Sequence, residues 1–161
     1  YEMMADPEVH RYLSEEDVPK DVESAQGEIR YWSGLFYRKQ RIFWAIEDTD
    51  TKKCIGTVGY NSWNPYYKRG EISYELSPKY WRRGIMTKVL RHLMVFSFEH
   101  MNVMRIEART MLGNEPSRKL LQKVGFKEEG IQRYYRIVRG VPIDVVLLSL
   151  IESDFVAIWK P

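Results

Sequence analysis

The hydrophobic pattern changes period between Glu71 and Thr87, and that change limits the folds open to this 161-residue chain. Glu71 to Leu76 alternates with the period of a strand, and Ser77-Pro78 ends it. After Gly84 the apolar residues Met86, Val89, Leu90, Leu93 and Met94 fall on one side of a helix. Between them lies a short basic loop. The first N–H groups of a helix lack intrahelical partners and sit at the positive end of its macrodipole. The run Arg82, Arg83, Gly84, Ile85, Met86, Thr87 therefore suits a phosphate or pyrophosphate, with glycine permitting close backbone approach and two arginines adding charge. The same run also reads as a plain strand–turn–helix connection with solvated arginines.

The other elements follow by the same reasoning. Val22, Ala25, Ile29, Trp32 and Phe36 have the spacing of one helix face. Strands are expected over 42–46 and 54–60, joined as a hairpin through Asp48-Thr49-Asp50-Thr51. Asn61 to Lys68 is expected as a loop carrying Trp63, Tyr66 and Tyr67. A short strand over 104–108 leads to a helix marked by Ser117, Leu120, Leu121 and Val124 and stopped by Gly125. Two closing strands, 132–138 and 143–151, flank Arg139-Gly140. The order predicts a mixed α/β sheet with helices on both sides.

Composition excludes several classes. Hydrophobic residues make up 44% and charged residues 29%, the balance of a globular chain. Twenty-five basic and 22 acidic residues leave a dispersed +3, which does not point to nucleic acid. The lone Cys54 excludes an internal disulfide and reads as a small buried side chain, and His10, His92 and His100 lack metal-ligand spacing, so no metal is expected. No apolar run approaches the roughly 20 residues that span a bilayer. A single domain over 1–161 in the cytoplasm is the expectation.

Downstream, Asn114-Glu115-Pro116-Ser117-Arg118-Lys119, continuing to Lys123-Val124-Gly125-Phe126, resembles the Asn-x-x-Ser-x-(Arg/Lys)…Lys-x-Gly-Phe segment of the GNAT N-acetyltransferase superfamily. Tyr80-Trp81-Arg82-Arg83-Gly84-Ile85 resembles the turn of its Rim-type branch, the ribosomal-protein N-terminal acetyltransferases. Asp6-Pro7-Glu8-Val9 with Tyr12-Leu13, and Asp144 to Leu150, match that branch's early helix and final strand in order. The resemblance implies a splayed parallel strand pair near Glu71–Leu76 and Met104–Ala108, with acetyl-CoA in the wedge. Its pantetheine would pair with backbone near Leu76, its pyrophosphate would lie on the amides of Arg82 to Thr87, and Asn114 and Lys119 would lie near the cofactor. The family's first strand would precede Tyr1, and Tyr1 to Ala5 is expected inside a helix. Two departures stand out: Met86 replaces a usual Gly or Ala, and Leu121 occupies the register where some relatives carry a tyrosine acid.

Acetyl transfer to an amine needs a neutral nucleophile, a polarised carbonyl and a proton for the thiolate. Glu107 aligns with a glutamate that serves as general base in related enzymes, with Glu71 and Glu75, on one strand face, as alternates. Ser117 resembles the serine beside the thioester sulfur, and Tyr134 or Tyr135 could donate in its place. Each of these residues also has a plain structural reading. Trp32, Trp63, Tyr66 and Tyr67 read either as acceptor-pocket lining or as packing. The resemblance implies an acetyltransferase for a protein or peptide N-terminal α-amine. Alternatives are a small-amine acetyltransferase and a non-catalytic acetyl-CoA sensor. The implied partners are acetyl-CoA and an amine acceptor, with a homodimer left open and no membrane or nucleic acid.

Overall fold

The computed structural model describes residues 1–13, 18–38 and 40–159. Its elements are α1 (Pro7–His10), α2 (Val22–Tyr37), β1 (Ile42–Glu47), β2 (Cys54–Asn64), β3 (Arg69–Leu76), α3 (Ile85–His100), β4 (Arg105–Met111), α4 (Glu115–Lys123), β5 (Lys127–Val138), β6 (Val141–Ile151) and α5 (Glu152–Trp159). The strands form one sheet in the order β1-β2-β3-β4-β6-β5. Neighbours are antiparallel except β3 and β4, which run parallel because α3 carries the chain back across the sheet.

Local sequence explains where the helices start. Asp21 and Ser24 close a reciprocal capping box on α2, with the Ser24 N–H donating to Asp21 at 2.7 Å. Asn114 accepts the Ser117 N–H at 3.2 Å to cap α4, where Pro116 suits the first turn. The α3 N-terminus differs: Gly84 is left-handed at φ 74° and supplies no side-chain cap.

Alternation gives the sheet two unlike faces. Ile72, Ile106, Leu148 and Leu150 point to one of them and are buried against Leu90 and Met94 of α3, Leu121 of α4 and Phe155 of α5. Tyr60 is also fully buried there, its hydroxyl 2.6 Å from Ser97 Oγ. The opposite face carries Glu71, Ser73 and Glu75 of β3 and Arg105, Glu107 and Arg109 of β4. It is covered by α2, where Trp32 stacks on Phe43 of β1 at 5.1 Å between ring centroids. Among the described residues, no helix is long and apolar enough to cross a membrane.

Several expectations need correction. Asn61 to Asn64 are strand, because a bulge between Tyr60 and Ser62 re-registers β2 and lets it keep pairing with Arg69 to Glu71. Tyr1 to Ala5 form a turn closed by the Ala5 N–H on the Tyr1 carbonyl at 2.9 Å, and the helix begins at Pro7. The spacing of α2 marks a helix but misplaces its inner side: Val22, Ile29 and Phe36 are exposed, and Trp32 and Leu35 turn inward. Cys54 is exposed, not buried, since it sits at the first position of its strand. β4 runs on to Met111, β5 begins at Lys127, and α5 had no counterpart in the hydrophobic pattern. Asp144 acquires a role: its carboxylate accepts the N–H of Tyr134, a left-handed residue at φ 51°, where β5 shifts register against β6.

Leu90 is fully buried at the centre of the α3 face. Leu90→Ala is expected to destabilise the fold by about 2–5 kcal/mol, read as a lowered midpoint in urea unfolding with little change in slope.

Candidate functional site

Pairing between β3 and β4 lasts only from Arg69↔Arg105 to Ile72↔Ala108. Beyond it β3 continues to Leu76 alongside β2, while β4 continues to Met111 alongside β6. The facing edges of Ser73–Leu76 and Arg109–Met111 are thus unpaired with each other, and backbone polar groups left open in this way require water or a ligand. A groove of about 1620 Å³ occupies the wedge, reached by Tyr74 and Leu76 from β3, Thr110 from β4, Gly84 to Thr87 from α3, and Asn114 and Ser117 from α4.

The mouth is built for an anion. The uncapped N-terminus of the 16-residue α3 brings the amides of Ile85, Met86 and Thr87 to the groove, with Arg82 beside them at φ 60°. Arg83 instead lies over the Tyr80 ring, 5.3 Å from its centroid, and does not line the groove. The indole of Trp81 donates to the Leu76 carbonyl at 2.6 Å, tying the turn to the end of β3. Met86 points into the core, 6% exposed, so its side chain does not lie over the helix terminus. Lys119 lines the groove and ion-pairs with Glu115 at 2.9 Å.

Two hydroxyl groups in the wedge were not singled out from sequence. Tyr74 OH lies 2.7 Å from Ser117 Oγ, and burial raises the phenol well above its ordinary value of 10.0, so it stays protonated. Thr110 is 6% exposed, and its Oγ1 has no partner among the described residues. Alternation along β3 and β4 could have placed both on the wedge face. Nothing in the sequence shows that α4 brings Ser117 against Tyr74. An orphaned hydroxyl, two open strand edges and an uncapped helix terminus fit an extended amide-bearing chain that ends in phosphates. Among the described residues, no group of three or more His, Cys, Asp or Glu could hold a metal.

The opposite side of the wedge is charged. Arg109 lies just past the last paired residue of β4 and reaches Glu71 at 2.8 Å and Glu107 at 3.1 Å. It also lies over the Tyr135 ring and donates to Gln132. Arg105 bridges Glu107 at 2.8 Å and Glu129 at 2.6 Å. Partial burial pushes the Glu107 carboxyl up. The Arg105 hydrogen bond and the charges of Arg105 and Arg109 outweigh it and hold the group below the usual carboxylate range. Glu71 and Glu75 line the groove, whereas Glu107, paired in register with Glu71, does not. The Thr57 hydroxyl donates to Glu75. Trp32 and Tyr135 line the groove; Tyr66 and Tyr67, in the β2–β3 turn, do not, and Trp63 borders an adjoining recess. Tyr134 is 77% exposed and outside the groove. Leu121, fully buried, closes the inner wall.

A sheet opened between parallel strands, with a helix terminus at the mouth, is a site for an extended anionic ligand, and the family match identifies the class as acetyltransferases. The acetyltransferase (GNAT) domain model matches residues 1–127, and the chain belongs to this family. It is 35% identical to the uncharacterised N-acetyltransferase YoaA of Bacillus subtilis over 90% of this chain and 81% of that protein. The solved ribosomal-protein-S5-alanine acetyltransferase of Vibrio fischeri superposes with a TM-score of 0.82 at 26% identity, covering 100% of this chain and 87% of that one. The microcin C7 self-immunity acetyltransferase MccE, solved with acetyl-CoA and AMP, shares the fold at TM-score 0.86 and 18% identity, over 94% of this chain and 84% of that one.

Glu129 supplies a pH test of the charged face. Hydrogen bonds from Arg105 and Ser149 hold its carboxyl down to about 2, against an ordinary 4.5. A depressed carboxyl contributes stability that is present above its unfolded value and lost as pH falls toward the folded one. Between pH 4.5 and 2 wild type is expected to lose stability more steeply than Glu129→Gln, measured by chemical denaturation across that range.

Proposed function

We propose that this protein transfers the acetyl group of acetyl-CoA to the α-amine of a protein or peptide N-terminus. The observation that carries the proposal is the open wedge: two unpaired strand edges, the α3 N-terminus and the Tyr74–Ser117 hydroxyl pair share one groove that opens on a charged face. The likeness to an enzyme named for a ribosomal-protein alanine supports an N-terminal acceptor. A cytoplasmic location goes with this reading, since acetyl-CoA and newly made N-termini meet there.

Acetyl-CoA supplies the activated thioester. The amides of Gly84 to Thr87 and the Arg82 guanidinium hold its pyrophosphate, and Leu76, Thr110 and Asn114 flank its pantetheine arm, with Lys119 nearby. The acceptor nitrogen attacks the carbonyl carbon from the charged face, so a C–N bond forms as the C–S bond breaks. The proton lost by nitrogen passes by way of water to a carboxylate. Glu107 is the proposed base, with Glu71 and Glu75 as alternates. A carboxylate held low is a weak base, which suits an α-amine of pKa about 8 better than a lysine near 10.4. The Ser117 hydroxyl, held by the Tyr74 hydroxyl, donates a hydrogen bond to the departing thiolate, which takes its proton from water, and the proton on the carboxylate returns to solvent. Trp32 borders the path of the acceptor.

Ser117→Ala is expected to lower kcat about 10–100-fold, with acetyl-CoA affinity by calorimetry within about twofold. Tyr74→Phe should show a smaller loss of the same kind. Glu107→Gln should lower turnover with acetyl-CoA affinity intact, whereas unchanged turnover moves the base to Glu71 or Glu75. The acceptor class is tested by incubating the protein with acetyl-CoA and a pool of free-N-terminus peptides, polyamines and aminoglycosides. Acetylated α-amines read by mass spectrometry support the proposal, and modification confined to the small amines rejects it.

A further inference from the structure

On the α2 face, at the corner where β1 begins and the β2–β3 hairpin turns, lies a second recess of about 450 Å³. It joins the groove through Arg41, Asn61 and Ser62, which border both. Among the described residues its wall contains two arginines, Arg41 and Arg69, and no carboxylate. That balance is unusual on this face. Arg105 and Arg109 are each neutralised by carboxylates within 3.1 Å, whereas neither Arg41 nor Arg69 has a carboxylate partner among the described residues. Arg69 only lies over the Tyr67 ring, 5.6 Å from its centroid.

The uncharged neighbours add donors. The Asn61 side-chain oxygen already accepts the Ser73 hydroxyl at 3.2 Å, and that of Asn64 accepts the Tyr67 N–H at 2.9 Å. Their NH₂ groups make no hydrogen bond to a described residue and are free to donate. A recess with two uncompensated guanidinium groups and spare amide donors suits a carboxylate, which a guanidinium can engage through paired hydrogen bonds. It repels a polycation.

We propose that this recess is a carboxylate-binding subsite for the acceptor, so that the preferred substrate is an amine carrying a carboxylate close to its reacting nitrogen. The inference rests on the reading of the charged face as the acceptor entrance. The carboxylate belongs either to an Asp or Glu side chain near a peptide N-terminus or to a free amino acid.

Two matched substrate pairs separate those sources: peptides differing only by Asp or Asn close to the N-terminus, and an amino acid against its amide. Wild type is expected to favour the carboxylate member of at least one pair by about tenfold in kcat/KM, mainly through KM. The preference should collapse toward unity in the Arg41→Gln/Arg69→Gln variant and weaken as salt screens the charges. Preference within the peptide pair assigns the side-chain source, and preference within the amino-acid pair alone assigns the free acid. Equal use of both members by an active enzyme overturns the subsite and leaves the α-amine reading standing.

A binding measurement independent of turnover uses succinate, with succinamide as control, followed at the Nε–H resonances of Arg41 and Arg69. Those resonances are assigned with the single Gln variants. A saturable shift with succinate alone is expected, and identical responses to the two probes overturn the subsite. If no peptide is acetylated, the α-amine reading fails and the succinate titration still decides the subsite.

Discussion

Strands β3 and β4 separate after Ile72 and Ala108 without either losing its place in the sheet, because each keeps its outer neighbour to the end. Only the facing edges go unpaired, which confines the cost to a few backbone groups in one place. The remaining features of the site are arranged around that gap. The α3 and α4 N-termini stand at its mouth, Tyr74 and Thr110 project into it from the two strands, and Arg109 reaches back across it to Glu71. A sheet paired along its full length would have no room for an extended ligand between its strands.

The two faces of the sheet then divide the work. On the α3 side, Leu90, Ile106, Leu121 and Leu148 are fully buried in one close-packed layer. On the α2 side, the cover is thinner: no residue of α2 is fully buried, and the strands present charge. A rigid apolar floor beneath a polar, partly covered face allows one ligand to be gripped by backbone and another to be selected by side chains.

The charges on that face are not equivalent. Glu107 lies between Arg105 and Arg109, which keep it ionised and lower its basicity, while Arg41 and Arg69 at the far corner have no such compensation among the described residues. Strand alternation made it legible that Glu71 and Glu75 share a face. It could not reveal that Arg109 would pair with Glu71, because that contact depends on which strand lies next to β3. Asp144 shows the same limit: its place in the final strand was readable, but its bond to the Tyr134 N–H needs the register shift of β5 against β6.

The sequence by itself determined the order of the elements as far as β6, the glycine that precedes α3, the place of Ser117 at the start of a helix, and the motifs that resemble an acetyltransferase family. These depend on local periodicity, capping chemistry and short motifs, which are properties of contiguous residues. Only the tertiary structure decided which side of α2 turns inward, that Asn61 to Asn64 extend a strand, that Tyr74 meets Ser117 across 43 positions of chain, and which arginines are left without carboxylates. Those facts depend on register and on packing between distant segments, where a shift of one residue exchanges the two faces of a strand.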